Sequence, residues 1–476
     1  MFASRTLKGK LARLLPTTLI AAMVLAACGG TTATPVPPTA TTGATAPTAT
    51  TAMAADTPTT AAEAPTATTA MAAETPTEGT TASGTATVGG GAGGDRMVPT
   101  GAGSIVLWHG YTGVEAETLT SVINDLQTQN ADFKVEVLAV PFDQLQNKFT
   151  TEASTGGGPD LLIGPSDWIG QFADASLVQA LDDVAGVSAI TGNLLPAALN
   201  VSKYDGKLYG LPVNMKNVAL YYNKDIVKTL PKDTEELLTM ASSLATGSVQ
   251  YGFALNTGFY NAVGYNFAYG GKLFTDPKTV DLTQQGTIDW LTWLKKARDT
   301  KGVLAKGDAD IDNLFKTGAA GMVINGPWAL GDYQKALGAD KVGVAVAPST
   351  PGGGKFAPFV GTENYFLNAN SENTEAAVAF LAYISSPGVQ QQFVQKAGHI
   401  STNTSVDLGG NEALQAFVDQ AAQGSPFPNF PAMGKVWDPA GNMINEVLDG
   451  LASPADAAKK ANDAINSAIQ SGGSSR

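Results

Sequence analysis

Short apolar segments and amphipathic segments alternate from residue 104 onward, and this alternation limits the possible folds more than any other feature. SIVLWHGYTG (104–113) is typical of a strand ending in a polar turn, and the next 17 residues have the apolar spacing of a helix. FKVEVLAVP and PDLLIG predict two further strands, and SDWIGQFADAS then predicts a helix start capped by Ser166 or Asp167. This order predicts an α/β fold, with a parallel sheet covered by helices on both faces.

The globular part is longer than one hydrophobic core usually serves. It has about 370 residues, so we expect two domains. YGLPVNMKNVALYYNKDIV (209–227) is extended for longer than a normal strand, which indicates a segment crossing between domains. FVGTENYFLN (359–368) is again extended, and the last segments have helical patterns.

The N-terminus resembles a bacterial lipoprotein signal over residues 1–27. A short apolar stretch, 14–24, follows four cations and ends at LAAC, whose cysteine, Cys28, is the only one in the chain. The resemblance implies cleavage before Cys28, lipid attachment to its sulfur and an extracytoplasmic protein anchored to the cell membrane. An ordinary secretion signal with an incidental cysteine is the alternative.

Residues 28–103 consist mostly of Thr, Ala, Pro and Gly. Such a segment buries too little apolar area to offset the entropy of ordering, so we expect a disordered tether. The formal charge of the chain is −13, and without the four signal cations it becomes about −17. Nucleic acid is therefore not an expected partner, and an anionic membrane surface would not attract the folded part without the lipid.

Trp328 poses a question of its own. In AAGMVINGPWALGDYQKA (319–336), an apolar strand is broken by Asn325-Gly326, and Pro327 begins a helix. A tryptophan normally packs into a core, yet ligands bind at the carboxyl ends of strands in α/β folds. Both interpretations of Trp328 stay open from the residues alone.

Six ordered motifs resemble the extracellular solute-binding proteins of ABC importers, and most of all their maltose/maltodextrin-binding type. They are GGGPDLLIG (156–164), YDGKLYGLPV (204–213), VALYYNKDIV (218–227), AAGMVINGPWAL (319–330), APFVGTENYFLN (357–368) and FPNFPAMGKVW (427–437). The resemblance implies a two-lobed, type II periplasmic-binding-protein-like fold with a hinged cleft between the lobes. The N-lobe would comprise residues 104–214 and 362–408, and the C-lobe residues 218–358 and 411–470.

The same resemblance implies which residues bind the ligand. Trp328 and Trp437 would stack on sugar rings, Tyr260 would flank them, and Asp167 would accept hydroxyl hydrogen bonds from the opposite lobe. Trp168, Tyr111, Thr112 and Lys216 are further candidates, Trp168 by its proximity to Asp167 alone. A core role remains the alternative for Trp328, Trp437 and Tyr260. Trp290 and Trp293 lie three residues apart on a helical pattern and are expected in the core.

Four positions depart from the maltodextrin-binding pattern. Gly164 stands at a position that is often aromatic, Lys216 and Gly258 at positions that are often acidic, and Gly441 at a basic one. The expected function is therefore capture of a maltose/maltodextrin-type oligosaccharide by lobe closure, with another oligosaccharide or a disaccharide as the alternative. Lys216 most favours that alternative, because a cation in the cleft could select a different or negatively charged ligand.

Two other classes of function have weaker support. A tethered glycan-acting enzyme would need a catalytic motif, but the chain has two histidines and no GxSxG, HExxH or Walker sequence. Metal capture by Tyr221 and Tyr222 would require neighbouring strand residues, which point to opposite faces, to bind one ion. We therefore expect a non-enzymatic monomer without cofactor or metal, whose partners are an oligosaccharide and the ABC permease.

Overall fold

The computed structural model describes residues 96–307 and 310–473. Its strands, in chain order, are β1 (Gly103–His109), β2 (Phe133–Ala139), β3 (Leu161–Pro165), β4 (Lys203–Tyr204), β5 (Lys207–Leu208), β6 (Leu211–Lys216), β7 (Ala219–Asn223), β8 (Tyr251–Asn256), β9 (Phe274–Asp276), β10 (Thr279–Val280), β11 (Val303–Lys306), β12 (Ala320–Asn325), β13 (Val342–Ala345), β14 (Phe359–Leu367), β15 (Ile400–Ser401) and β16 (Ser425–Pro426).

The longer strands form two sheets. The first sheet has the order β15-β6-β14-β3-β1-β2, with β16 beside the start of β14, and the second has the order β11-β8-β12-β7-β13. Two short hairpins, β4-β5 and β9-β10, lie outside them. Both sheets are mixed, because β14 runs antiparallel to β3 and β6, and β7 runs antiparallel to β12 and β13. The predicted parallel pairing holds for β1 with β2 and β3, whereas β14 and β7 add antiparallel pairs that the sequence pattern did not predict.

The antiparallel strands are those that carry the chain between the sheets. β6 lies in the first sheet and β7 in the second, separated only by Asn217 and Val218. The chain returns from β13 to β14, and it leaves the first sheet again between β15 and the next helix. Residues 209–227 thus pass from the first sheet to the second. A strand that enters a sheet directly from the other sheet has no crossover helix before it, so it need not run parallel to its neighbours.

The helices are α1 (Gly113–Gln129), α2 (Phe142–Ala153), α3 (Ile169–Asp174), α4 (Val187–Thr191), α5 (Pro196–Val201), α6 (Thr234–Leu244), α7 (Phe259–Ala268), α8 (Gln285–Asp299), α9 (Ile311–Lys316), α10 (Leu330–Leu337), α11 (Thr374–Ile384), α12 (Pro387–Gln392), α13 (Glu412–Ala421), α14 (Trp437–Leu448) and α15 (Pro454–Gly473). None of the helices described is long and apolar enough to cross a membrane.

The apolar faces of these helices pack on the sheets in separate cores. Side chains from α1 and α11 form one core with the first sheet, whereas those from α7, α8, α14 and α15 form another with the second. Trp290 and Trp293 of α8 are 0% and 3% exposed, which confirms that they belong to the core. Within residues 96–307 and 310–473, the indole N–H groups of both tryptophans have no hydrogen-bond partner, so these side chains are held by packing alone.

The folded part begins before the predicted end of the tether. Arg96 forms an ion pair with Asp125 at 3.0 Å, Val98 packs against the first-sheet core, and Asn130 donates hydrogen bonds to the carbonyls of Pro99 and Gly101. Residues 96–102 are therefore held on the folded part rather than free. The predicted signal segment, Cys28 and the tether up to residue 95 lie outside the described residues.

The segment after β16 contacts both sheets. Its Asn429 accepts a hydrogen bond from the backbone N–H of Gly170 at 2.9 Å and donates to the carbonyls of Val201 and Lys203, which all belong to elements beside the first sheet. The expected C-lobe segment 411–470 thus includes residues fastened to the N-lobe side. This attachment brings the start of α14 close to the turn that follows β3.

Candidate functional site

Trp328 lies in a 3₁₀ turn, Pro327–Ala329, directly after β12. Its ring covers the backbone of Gly326 so closely that a Cβ there would be 2.0 Å from the indole. Glycine is therefore required before the turn, and the indole stays half-buried instead of entering the core completely. The arrangement leaves part of the ring available to a ligand.

Three of the predicted residues join an aromatic row with one that we had not predicted. Ring centroids lie 6.2 Å apart for Trp328 and Tyr260, 5.7 Å for Tyr260 and Phe427, and 6.0 Å for Phe427 and Trp437. Trp328, Tyr260 and Trp437 are each partly exposed, whereas Phe427 is buried behind them. The row is thus a partly open surface of large rings supported by the second-sheet core.

Asp167 approaches the far end of this row from the first sheet. It lies in the 3₁₀ turn Ser166–Trp168 after β3, is 5% exposed, and makes no capping hydrogen bond, so the predicted cap role was wrong. Burial raises the pKa of Asp167 to about 7, although its own backbone N–H and the Trp437 indole act in the opposite direction. Its Oδ1 has no hydrogen-bond partner in the described part of the chain. A buried acceptor without a partner is costly and is suited to a ligand hydroxyl.

Lys216 and Tyr111 meet at Glu363, which we had not predicted. The Lys216 ammonium donates to Glu363 Oε1, and the Tyr111 hydroxyl donates to Glu363 Oε2 at 2.6 Å. Burial alone would lower the pKa of Lys216, but the adjacent carboxylate raises it above its ordinary value. The ammonium also lies 5.4 Å from the centroid of the Trp328 ring. Lys216 is therefore an ammonium whose charge is balanced by Glu363 beside Trp328, and not the free cation that would select an anionic ligand.

The two remaining predicted residues, Trp168 and Thr112, are not members of the aromatic row. Trp168 is 5% exposed and contacts the rings of Phe142 and Phe172, so its own faces are covered by protein. This burial contradicts the expectation that Trp168 is itself a sugar platform. Thr112 is exposed at the N-terminus of α1 and its side chain makes no capping bond.

Sequence signals existed for both residues that were missed. Phe427 is the first residue of the FPNFPAMGKVW motif, whose last residue is Trp437. Glu363 is the single charged residue in β14, whose sequence FVGTENYFL is otherwise uncharged and mostly apolar. A lone carboxylate in a buried strand indicates a buried ion pair or a functional site.

Glu363, Glu115 and His399 are the three acidic or imidazole groups close enough to suggest a metal site among the described residues. However, His399 Nε2 is bonded to Glu115 Oε1 at 2.8 Å, and both oxygens of Glu363 are taken by Lys216 and Tyr111. An ammonium group within this set repels a cation, so the cluster is a buried ion-pair network.

The tyrosine pair also does not form a metal site. Tyr221 is fully buried, donates its hydroxyl to the carbonyl of Gly326 at 2.8 Å and packs in a different core cluster from Tyr222. The two side chains point to opposite faces of β7, as the alternation of a strand requires.

Comparison with known proteins places this geometry in a family. Residues 121–422 match the family described as bacterial extracellular solute-binding protein. A maltooligosaccharide ABC transporter solute-binding lipoprotein of Streptococcus pneumoniae is 30% identical over 67% of this chain and 78% of its own length. The galactooligosaccharide-binding protein of Bacillus subtilis is 26% identical over 71% of this chain and 84% of its own.

A solved structure agrees with the observed topology. The maltose/maltodextrin-binding domain of Bdellovibrio bacteriovorus, bound to maltotriose, is similar with a TM-score of 0.72 and 31% identity, over 77% of this chain and 100% of that domain. The expected α/β fold of the two-lobed, type II periplasmic-binding-protein kind is confirmed. The chain belongs to the bacterial extracellular solute-binding proteins.

Proposed function

We propose that this protein is the lipid-anchored substrate-binding receptor of an ABC sugar importer, and that it captures maltooligosaccharides between its two lobes. The observation that carries the proposal is the partly open aromatic row beside a buried carboxylate, Asp167, whose Oδ1 has no hydrogen-bond partner among the described residues. The row extends from Trp328 to Trp437, and Asp167 lies beside its Trp437 end.

The two kinds of group match the two sides of a sugar. A pyranose ring has an apolar C–H face, which lies flat on an aromatic ring, and a rim of hydroxyls, which donate hydrogen bonds. The exposed parts of Trp328, Tyr260 and Trp437 supply the first surface. Asp167 supplies an acceptor whose hydrogen bonds are charge-assisted when it is ionised.

Lobe closure follows from where these groups are attached. Asp167 and Tyr111 belong to turns after strands of the first sheet, whereas Trp328 and Tyr260 follow strands of the second. A ligand that touches both sets gains its full contacts only when the lobes are close. Binding therefore shifts the population toward a closed form by the difference in affinity between the two forms.

The importer and membrane parts of the proposal are supported by the relatives and by the N-terminus. The Streptococcus pneumoniae relative is named as an ABC transporter lipoprotein, and LAAC in this chain ends at the single cysteine, Cys28. The partners would be the permease, the membrane through the lipid, and the oligosaccharide, with the receptor acting as a monomer. We assign it no catalytic role.

Another oligosaccharide is the second candidate ligand. The Lys216–Glu363 pair lies against Trp328, where its polar groups could order a hydroxyl pattern other than that of an α-1,4-glucan. Gly441 stands where the maltodextrin-binding pattern is basic, and because glycine has no side chain it supplies no polar group into the open space around it. The galactooligosaccharide-binding relative makes such sugars the first alternatives to test.

Calorimetric titration of the purified full chain in detergent tests the proposal. The ligands are maltose, maltotriose, longer maltodextrins, galactooligosaccharides and unrelated disaccharides, with tryptophan fluorescence as a second readout. We expect saturable binding of the maltooligosaccharides with a change in Trp328 or Trp437 emission. Selective binding of galactooligosaccharides would favour the second candidate, and progressive shortening of the sugars would contradict the assignment as a binding protein.

A further inference from the structure

Phe142 is an exposed aromatic ring with one face already occupied. It is the first residue of α2, it is 58% exposed, and its ring stacks on that of Trp168 with centroids 5.5 Å apart and planes tilted by 26°. Leaving this much aromatic surface in water is unfavourable, because the ring of a phenylalanine has no polar group of its own. The other face of Phe142 is thus open while the ring itself is held.

Phe142 lies next to the candidate site. Its ring fills the space beside Gly110, where a Cβ would be 3.2 Å from that ring. Gly110 precedes Tyr111, which contacts the Lys216–Glu363 pair, and Trp168 follows Asp167. Phe142 therefore bridges the turns after β1 and β3, the two parallel strands whose carboxyl ends carry first-sheet groups of the site.

The support behind Phe142 is rigid. Trp168 lies over Gly164, where a Cβ would be 2.5 Å from the indole, and it contacts Phe172 edge-on at 5.8 Å. The glycine makes room for the indole, and the indole makes a flat backing for Phe142. A ring that is held in advance loses little conformational entropy when it binds a ligand.

A polar pair lies one helical turn away on the same face of α2. Gln146 is four residues after Phe142, and its amide donates to the side-chain oxygen of Gln171 at 2.8 Å. Primary amides donate and accept hydrogen bonds, as a sugar rim requires. An apolar ring flanked by amides is thus available beyond the aromatic row.

We infer that the open face of Phe142, backed by Trp168, is an outer subsite that binds one additional pyranose ring of a long oligosaccharide. The inference rests on the proposed function and adds selection by sugar length to that function. A short sugar would occupy only the aromatic row, whereas a longer sugar would also reach Phe142. Trp168 acts here as a positioning residue and does not touch the sugar.

Affinities of the full chain for maltose, maltotriose, maltopentaose and maltoheptaose, measured by calorimetry, test the subsite. We expect Phe142→Ala to weaken binding of the longest sugars about tenfold, as for loss of one aromatic contact, and to leave maltose unchanged. Phe142→Tyr keeps the ring and should retain the wild-type order of affinities. Phe142→Leu keeps apolar area without a ring and should resemble Phe142→Ala.

The matched control is Leu138→Ala, which removes another exposed apolar side chain, 41% exposed, on β2. It should change no affinity. Equal losses for short and long sugars in Phe142→Ala, or no loss for any of them, would overturn the subsite while the proposed function stands. Absence of oligosaccharide binding by the wild-type chain, with a normal unfolding transition, would overturn both.

Discussion

Single residues decide how the site can be open and ordered at the same time. Gly326 leaves room for the Trp328 ring over the backbone, and the Lys216 ammonium lies against one part of that ring. Asp167 is held in a 3₁₀ turn where its carboxylate is buried but not fully bonded. If these residues bind the proposed sugar, they need little rearrangement to do so.

Replacing Trp328 tests the contribution of one ring. If Trp328 is a binding hot spot, Trp328→Ala should weaken binding of the preferred oligosaccharide by about 2 kcal/mol or more, because the stacking surface is lost. Calorimetry of the folded variant measures this change. The control is Trp293→Phe, a core tryptophan far from the row in sequence. Unchanged affinity in Trp328→Ala would return Trp328 to a core role.

The raised pKa of Asp167 predicts opposite effects of pH on binding and stability. The pKa of Asp167 is about 7 in the folded state, against an ordinary value of 3.8. Between pH 3.8 and about 7, the native state therefore holds a proton that the unfolded state has lost. Stability should therefore fall as pH rises through this window, by up to about 4 kcal/mol. Sugar affinity should rise with pH, up to about tenfold between pH 6 and 8, if hydroxyls bind the ionised carboxylate.

Asp167→Asn is the matched variant for both effects. As pH rises, Asp167→Asn should show neither the decrease in unfolding free energy, measured with urea, nor the increase in sugar affinity, measured by calorimetry. Asp183 is an exposed acid, and Asp183→Asn should retain both changes. A sugar affinity that does not vary with pH in the wild-type chain would show that Asp167 does not bind the ligand in its charged form.

At the scale of elements, the pairing of β6 with β14 creates a buried charge pair. Glu363 stands opposite Asn214 in this register, and Lys216 reaches it from the end of β6. Their side chains are 7% and 18% exposed. The neighbouring strands β6 and β14, which lie where the chain passes between the sheets, are thus joined by a charge pair as well as by backbone hydrogen bonds.

Breaking that pair on one side should destabilise the fold. Lys216→Met leaves the Glu363 carboxylate buried without its cation, and we expect a loss of about 3 kcal/mol in unfolding free energy, measured with urea. The double variant Lys216→Met/Glu363→Gln should recover much of the loss, because no unpaired charge remains. Lys335→Met breaks an exposed pair with Glu117 and should change stability little. A double variant as unstable as the single one would argue against the charge-pair explanation.

At the scale of the whole molecule, the folded part is attached to a long N-terminal segment of low complexity. A flexible chain of roughly 70 residues spans about 45 Å. If the sequence-based expectation of a disordered tether is right, such a length would let the proposed lipid-anchored receptor reach its permease. Cys28 and this segment lie outside the described residues, so their role is tested by experiment.

Cys28→Ala tests the anchor. We expect the wild-type chain in the membrane fraction of a bacterial host and the variant in the soluble or secreted fraction, since the proposed lipid would be attached to the Cys28 thiol. Mass spectrometry of the N-terminal peptide should show a lipid on Cys28 of the wild type only. Met23→Ala, within the apolar stretch, is the control. Equal distribution of Cys28→Ala and wild type would favour an ordinary secretion signal.

The sequence by itself determined the α/β character, the order of elements, the crossing at residues 209–227 and the burial of Trp290 and Trp293. Each of these depends on periodicity or composition within one segment, which packing does not change. Tertiary structure alone decided the mixed sheets, the burial of Asp167 with one carboxylate oxygen lacking a partner among the described residues, and the pairing of Lys216 with Glu363, 147 residues apart. Strand direction and charge partners depend on which distant segments the chain brings together, and no local pattern contains that information.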